Sequence, residues 1–127
     1  MDKKVTVFIR DKLTEPPILV TEGTLTKIGN SYNIRYRDDD SFYTIGISDK
    51  MITVTREGEE DYTLILQEGQ EYRFNVSSPF GDIPMTALPE RARFEDKKET
   101  FSLRLIYTIN GGGHKQKFRL YIDCRNA

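Results

Sequence analysis

Polar and apolar residues alternate along almost the whole chain, which is the period of a strand with one buried face. The pattern runs through Lys4–Ile9 (KVTVFI), Phe42–Ser48 (FYTIGIS), Met51–Arg56 (MITVTR) and Asp61–Leu66 (DYTLIL). It continues in Glu71–Val76 (EYRFNV), Thr100–Ile109 (TFSLRLIYTI) and Gln116–Asp123 (QKFRLYID), and all seven segments are rich in β-branched and aromatic residues. Turn formers interrupt the pattern at short intervals: Pro16-Pro17, Gly29-Asn30, Asp49-Lys50, Gly58, Gly69, Pro79 and Gly111-Gly112-Gly113. The nearest approach to a helical stripe is LPERARFED, Leu88–Asp96, which is short and contains Pro89. The pattern predicts an all-β fold of about eight to ten strands joined mostly by tight hairpins.

Register tests this reading. In EGTLTKIGNSYNIRYRD, Glu22–Asp38, a two-residue turn at Gly29-Asn30 sets Ile28 against Ser31. One side of the pair then collects Leu25 with Ile34, Lys27 with Tyr32, and Gly23 with Tyr36; the other collects Thr24 with Arg35 and Glu22 with Arg37. Aromatic cover of a strand glycine is a recognised stabilising arrangement. A phosphate-binding loop would instead need several glycines leading into a helix, and no helical pattern follows. The same reasoning at Asp49-Lys50 pairs Ile47 with Ile52 and Ile45 with Val54. A three-residue loop at Gln67–Gly69 pairs Leu64 with Tyr72 and Tyr62 with Phe74. A four-residue loop at Asn110–Gly113 pairs Leu105 with Phe118, Leu103 with Leu120 and Phe101 with Ile122. Each hairpin has one apolar face, and a meander with one such face must close or pack to hide it. A single antiparallel up-and-down barrel is the expected architecture because closure removes exposed edges; a two-sheet sandwich is the alternative.

Six of the seven tyrosines fall on the inward faces: Tyr32, Tyr36, Tyr43, Tyr62, Tyr72 and Tyr107, with Tyr121 outward. A barrel of this size either fills its interior with side chains or holds one small ligand. Tyrosine offers an apolar body with a hydroxyl that needs a partner when buried. The expected ligand-binding lining is Tyr36, Tyr62, Tyr72, Phe74, Tyr107 and Phe118, suited to an amphipathic or aromatic molecule. The competing expectation places several phenols at the rims, above a packed middle.

At 127 residues, with a formal net charge of −1, the chain is expected to form one domain, residues 1–127, with no global pull toward nucleic acid or anionic membrane. The opening MDKKVTVFIRDK alternates and does not read as a signal peptide. Cys124, the one cysteine, leaves no intrachain disulfide and points to a reducing, cytoplasmic location. It alternates in step with Ile122, so burial is expected rather than nucleophilic reactivity. His114, the one histidine, sits opposite Ile109 beside a glycine tip, with nothing to hold its ring for catalysis. No metal and no cofactor is expected from one histidine and one cysteine. RDDDS, Arg37–Ser41, lacks the ligand spacing of a calcium loop and reads as a solvated turn. Arg104, Lys117 and Arg119 share an outward face, with Lys115 near the tip, and read as solvated cations. In SSPFGDIPM, Ser77–Met85, Phe80 is expected to plug the barrel rim.

Three segments, EGTLTKIGNSYNIRYRD, ISDKMITVTREG and SPFGDIPM, together resemble the YwiB-like family of small bacterial proteins. The resemblance covers nearly the whole chain in order and spacing, with Glu22-Gly23, Tyr36 and Pro79–Gly81 matching. It implies a calycin-like, lipocalin-related β-barrel, and it brings no catalytic residues. The expected function is therefore a non-enzymatic barrel that binds a small amphipathic molecule. The alternative is a protein-interaction module or homodimer working through outward apolar residues such as Phe8, Ile106 and Tyr121; an enzyme ranks third, because the sequence shows no clear inward ionisable group with a strongly perturbed pKa.

Overall fold

The computed structural model describes residues 2–11, 16–97 and 99–126, and their regular structure is entirely β. Ten strands follow in chain order: β1 (Asp2–Arg10), β2 (Leu19–Ile28), β3 (Ser31–Asp38), β4 (Ser41–Ser48), β5 (Met51–Glu57), β6 (Tyr62–Leu66), β7 (Tyr72–Ser78), β8 (Gly81–Asp96), β9 (Thr100–Gly111) and β10 (His114–Asn126). They form one antiparallel sheet in the order β6-β5-β4-β3-β2-β1-β10-β9-β8-β7. The two outer strands of that order, β6 and β7, are neighbours in sequence and meet at a seam, so the sheet curls into a nearly closed barrel. Alternate residues from every part of the sheet reach the interior: Ile34, Ile45, Ile52, Leu64, Leu103 and Ile122 are each at most 1% exposed. Burial of each such side chain contributes about 1.5–3 kcal/mol.

The two hairpins with two-residue turns take the expected registers. Gly23 lies opposite Tyr36 and Leu25 opposite Ile34, while Ile47 faces Ile52 and Ile45 faces Val54. Gly23 is required sterically, because a β-carbon there would stand 2.6 Å from the Arg35 carbonyl oxygen and 2.9 Å from Val7 Cγ2.

Two expected hairpins differ. The turn between β9 and β10 is the pair Gly112-Gly113 (φ 58° and 79°), the left-handed pair of a type I′ turn, rather than a four-residue loop. Pairing continues out to Gly111 with His114, so Leu105 faces Leu120, Leu103 faces Ile122 and Phe118 faces Tyr107. The slip is two residues, an even number, and every side chain keeps its predicted face. Between β6 and β7 no hairpin ladder forms. The single bridge there joins Asp61 to Ser77 through reciprocal backbone hydrogen bonds of 2.8 Å. Extended along both strands, it sets Tyr62 against Val76 and Leu64 against Phe74. Gly69 does take a positive φ of 77°, but its N–H donates to the Pro89 carbonyl of β8 at 3.1 Å. A Glu68 carboxylate oxygen also accepts from Ala92 N–H and Arg93 Nε. The loop is anchored over the seam to β8, which draws it away from closing a local hairpin.

LPERARFED forms the second half of the 16-residue β8. Its register against β9 shifts between Pro89 and Arg91, a bulge that accommodates a residue with no N–H to donate. The Phe80 plug is not formed: this side chain is 97% exposed. Its turn is held locally, Ser78 Oγ accepting from Phe80 N–H and donating to the Gly81 carbonyl, and nothing folds the ring onto the rim.

Candidate functional site

One register row carries the polar interior. Gly23, Tyr36, Tyr43, Arg56 and Tyr62 lie side by side on β2 to β6, each opposite the next. The row follows from turn geometry, since the Asp49-Lys50 turn that pairs Ile45 with Val54 also pairs Tyr43 with Arg56. Tyr36 and Tyr43 stack with ring centroids 5.1 Å apart and planes 8° from parallel. The Arg56 guanidinium carbon lies 6.0 Å from the Tyr43 ring centre, within cation–π range. Arg56 Nη2 donates to Ser41 Oγ at 3.1 Å, while Arg56 Nε is buried without a hydrogen-bond partner among the described residues.

Across the barrel, Tyr107 stacks on Phe118 at 5.3 Å. Phe74 sits between Tyr62 at 6.1 Å and Tyr72 at 6.3 Å. A cavity of about 250 Å³ opens at this end of the barrel, lined chiefly by Tyr62, Phe74, Met85, Tyr107, Ile109 and Phe118. His114 reaches its edge, opposite Gly111 rather than Ile109. A second hollow, a groove of about 570 Å³, follows the seam and is lined by Arg56, Tyr62, Tyr72 and Phe74 together with Asp61 and Ser77. Tyr62 and Phe74 therefore wall both spaces. Of the six residues expected to line a ligand site, Tyr62, Phe74, Tyr107 and Phe118 converge on the cavity and Tyr72 on the groove. Tyr36 lines neither and packs behind them. Sequence reasoning missed Arg56, although the register at Asp49-Lys50 leads to it in two further pairs.

Burial dominates the electrostatics. It pushes the Tyr62 phenol up to about 12, with Tyr43 adding to the rise and Arg56 opposing it. Burial likewise raises Tyr36 and Tyr107 well above the usual phenol range, and neighbouring tyrosines reinforce both shifts. The phenols of Tyr36, Tyr62 and Tyr107 are therefore neutral at physiological pH and offer donors as well as acceptors. Cys124 is 2% exposed within the buried cluster, and burial pushes its thiol up to about 12. Among the described residues no group of three or more His, Cys, Asp or Glu could hold a metal ion.

The outward cations are more numerous than the last hairpin alone supplies. Arg93 of β8 faces Arg104, and Arg91 and Arg119 flank Ile106. Carboxylates are interleaved with them: Glu68 pairs with Arg93 at 2.9 Å, Glu90 with Lys117 at 3.2 Å and Asp123 with Arg10 at 3.0 Å. Phe8 lies under the Arg125 guanidinium at 5.0 Å. Charge therefore flanks Ile106 and Tyr121, whereas Phe8 lies opposite the exposed Val20 of β2.

No helix among the described residues is long and apolar enough to cross a membrane. No curated protein matches the chain. The fold is similar to that in the crystal structure of the ywiB protein from Bacillus subtilis, with a TM-score of 0.75 over 99% of this chain and 90% of that one, at 14% sequence identity. At that identity the likeness establishes the barrel and its strand arrangement. The family described as Domain of unknown function (DUF1934) matches residues 4–122, nearly the full length. The chain belongs to the DUF1934 family.

Proposed function

We propose that the protein is a non-enzymatic binder of a small amphipathic molecule, held at the end of the barrel where the aromatic residues converge. The observation that carries this reading is the cavity of about 250 Å³ walled by Tyr62, Phe74, Tyr107 and Phe118. Its size lies just below the range of about 300–1,000 Å³ for ligand pockets, which suits a compact ligand. Its walls are mostly apolar, and the phenols supply a few directional hydrogen bonds, the usual composition of a small-molecule site. The arginines that flank Ile106 and Tyr121 give self-association through those two residues less support. A buried Cys124 suits residence in a reducing cytoplasm.

The test is native mass spectrometry of protein purified gently from its own source, set beside the denatured mass. The expected result is an excess mass that disappears on denaturation. A reproducibly bare mass, together with no saturable response of tyrosine fluorescence to small amphipathic probes, overturns the proposal.

A further inference from the structure

Arg56 is the one arginine that the register turns into the barrel beside the tyrosines, and its hydrogen bonding is incomplete. A guanidinium has five N–H donors. Here Nη2 donates to Ser41 Oγ at 3.1 Å and the ring of Tyr43 lies 6.0 Å from the guanidinium carbon. No carboxylate pairs with Arg56 among the described residues, and its Nε is buried without a partner. A buried donor left unsatisfied is costly, and a native structure that keeps one calls for an explanation. The position compounds the cost: apolar residues hold the equivalent inward sites further along β5, at Val54 and Ile52, and either would pack without penalty.

The surroundings supply the explanation. Arg56 lines the seam groove with Tyr62 and Phe74, and the same two rings wall the cavity. A molecule entering at the seam would meet the guanidinium with its head and the aromatic cavity with its body. From this we infer that the ligand is an amphipathic acid whose single anionic group is held by the guanidinium of Arg56. Planar oxyanions match a guanidinium better than any other common group.

The charges around the groove bear on the charge of the head group. Glu57 and Asp61 line it and repel an incoming anion, while Arg73, also in the lining, offsets part of that repulsion and leaves no net excess of positive charge for a dianion. Asp61 is already committed, its Oδ1 accepting from Gly58 N–H at 2.8 Å. A carboxylate tolerates these neighbours better than a phosphate monoester, which carries nearly two charges at neutral pH. The inference rests on the proposed ligand site, and it adds the chemical class of the head group.

Three probes with one eight-carbon body separate the outcomes: octanoate, octyl phosphate and 1-octanol, titrated into the intact protein by calorimetry. Wild type should bind octanoate about ten-fold or more tighter than 1-octanol, the range expected for a charge-assisted hydrogen bond. Octyl phosphate should bind less tightly than octanoate. Arg56→Gln should bring octanoate down to the affinity of 1-octanol and leave 1-octanol unchanged; Arg56→Lys should retain part of the preference. The comparison within wild type needs no variant, so a poorly folding Arg56→Gln leaves the test intact. Equal binding of octanoate and 1-octanol to wild type overturns the inference while leaving the ligand site standing. Tighter binding of octyl phosphate than octanoate overturns the monoanion class. No binding of any probe overturns the inference and the ligand site together.

Discussion

Each interior tyrosine trades a solvated hydroxyl for burial, and that exchange sets a measurable pH limit. Tyr62 is raised to about 12 by burial first, then by Tyr43, and Tyr36 and Tyr107 are raised for the same leading reason. In the unfolded chain these phenols ionise near about 10. Below that pH both states are protonated and the folded state keeps its full stability. Above it the unfolded state loses protons that the folded state retains, so stability falls as pH rises toward the folded value. Thermal melts should therefore be insensitive to these groups between pH 7 and about 9 and drop steeply above about 10. Tyr62→Phe should make that drop shallower. Ultraviolet titration checks the cause: seven phenols ionising together near 10 in a still-folded protein would show that the rings are not buried as described.

At the level of elements, tight turns decide what could be read from the chain. Gly29-Asn30 and Asp49-Lys50 leave no freedom in the loop, so each register was legible and each aromatic or aliphatic residue fell on its true face. Arg56 was legible by the same logic, two pairs beyond Ile45 and Val54. Gly112-Gly113 was misjudged by two residues because three consecutive glycines and an asparagine fit more than one turn, yet the even slip preserved the faces. In the loop after β6 the left-handed Gly69 was legible, but the absence of a local hairpin ladder was not. Its controlling partners, the Pro89 carbonyl and the Ala92 N–H, lie about two dozen residues further on, beyond any local rule. The convergence of four candidate rings on one cavity was likewise beyond reach, since it depends on how the sheet curls. The seam makes its own prediction. With one bridge at Asp61–Ser77, the seam-facing amides of β6 and β7 lack ladder partners, whereas β3 and β4 pair from Ser31–Ser48 to Asp38–Ser41. Hydrogen exchange followed by NMR should show the seam-facing amides of β6 and β7 losing protection orders of magnitude faster than the ladder amides of β3 and β4. Equal protection would mean that the barrel is fully closed, and the seam would then be no route to Arg56.

The whole molecule has one interior, and this determines how it should unfold. Ile34 on β3 and Leu103 on β9 come from opposite halves of the chain, yet both belong to the same buried cluster. Ile34 is 0% and Leu103 1% exposed, so neither has solvent available to relax a vacated volume. Truncation of either to alanine should cost about 2–5 kcal/mol through lost burial and the cavity left behind. If residues 1–127 form a single domain, each substitution should shift one common urea transition to a lower midpoint without changing its slope. Far-ultraviolet circular dichroism, reporting the sheet, and tyrosine fluorescence, reporting the interior rings, should then trace coincident curves in wild type and in both variants. The seam is where this expectation is most exposed, because β7 to β10 and β1 to β6 share it across few hydrogen bonds. The two groups of strands are nevertheless joined by the β1–β10 ladder, which runs from Val5–Asn126 to Arg10–Tyr121. That ladder ties the ends of the chain together and closes the long loop through which cooperativity must pass. Separate transitions, with Ile34→Ala moving one and Leu103→Ala the other, would show that the barrel melts as two sheets hinged at the β1–β10 ladder.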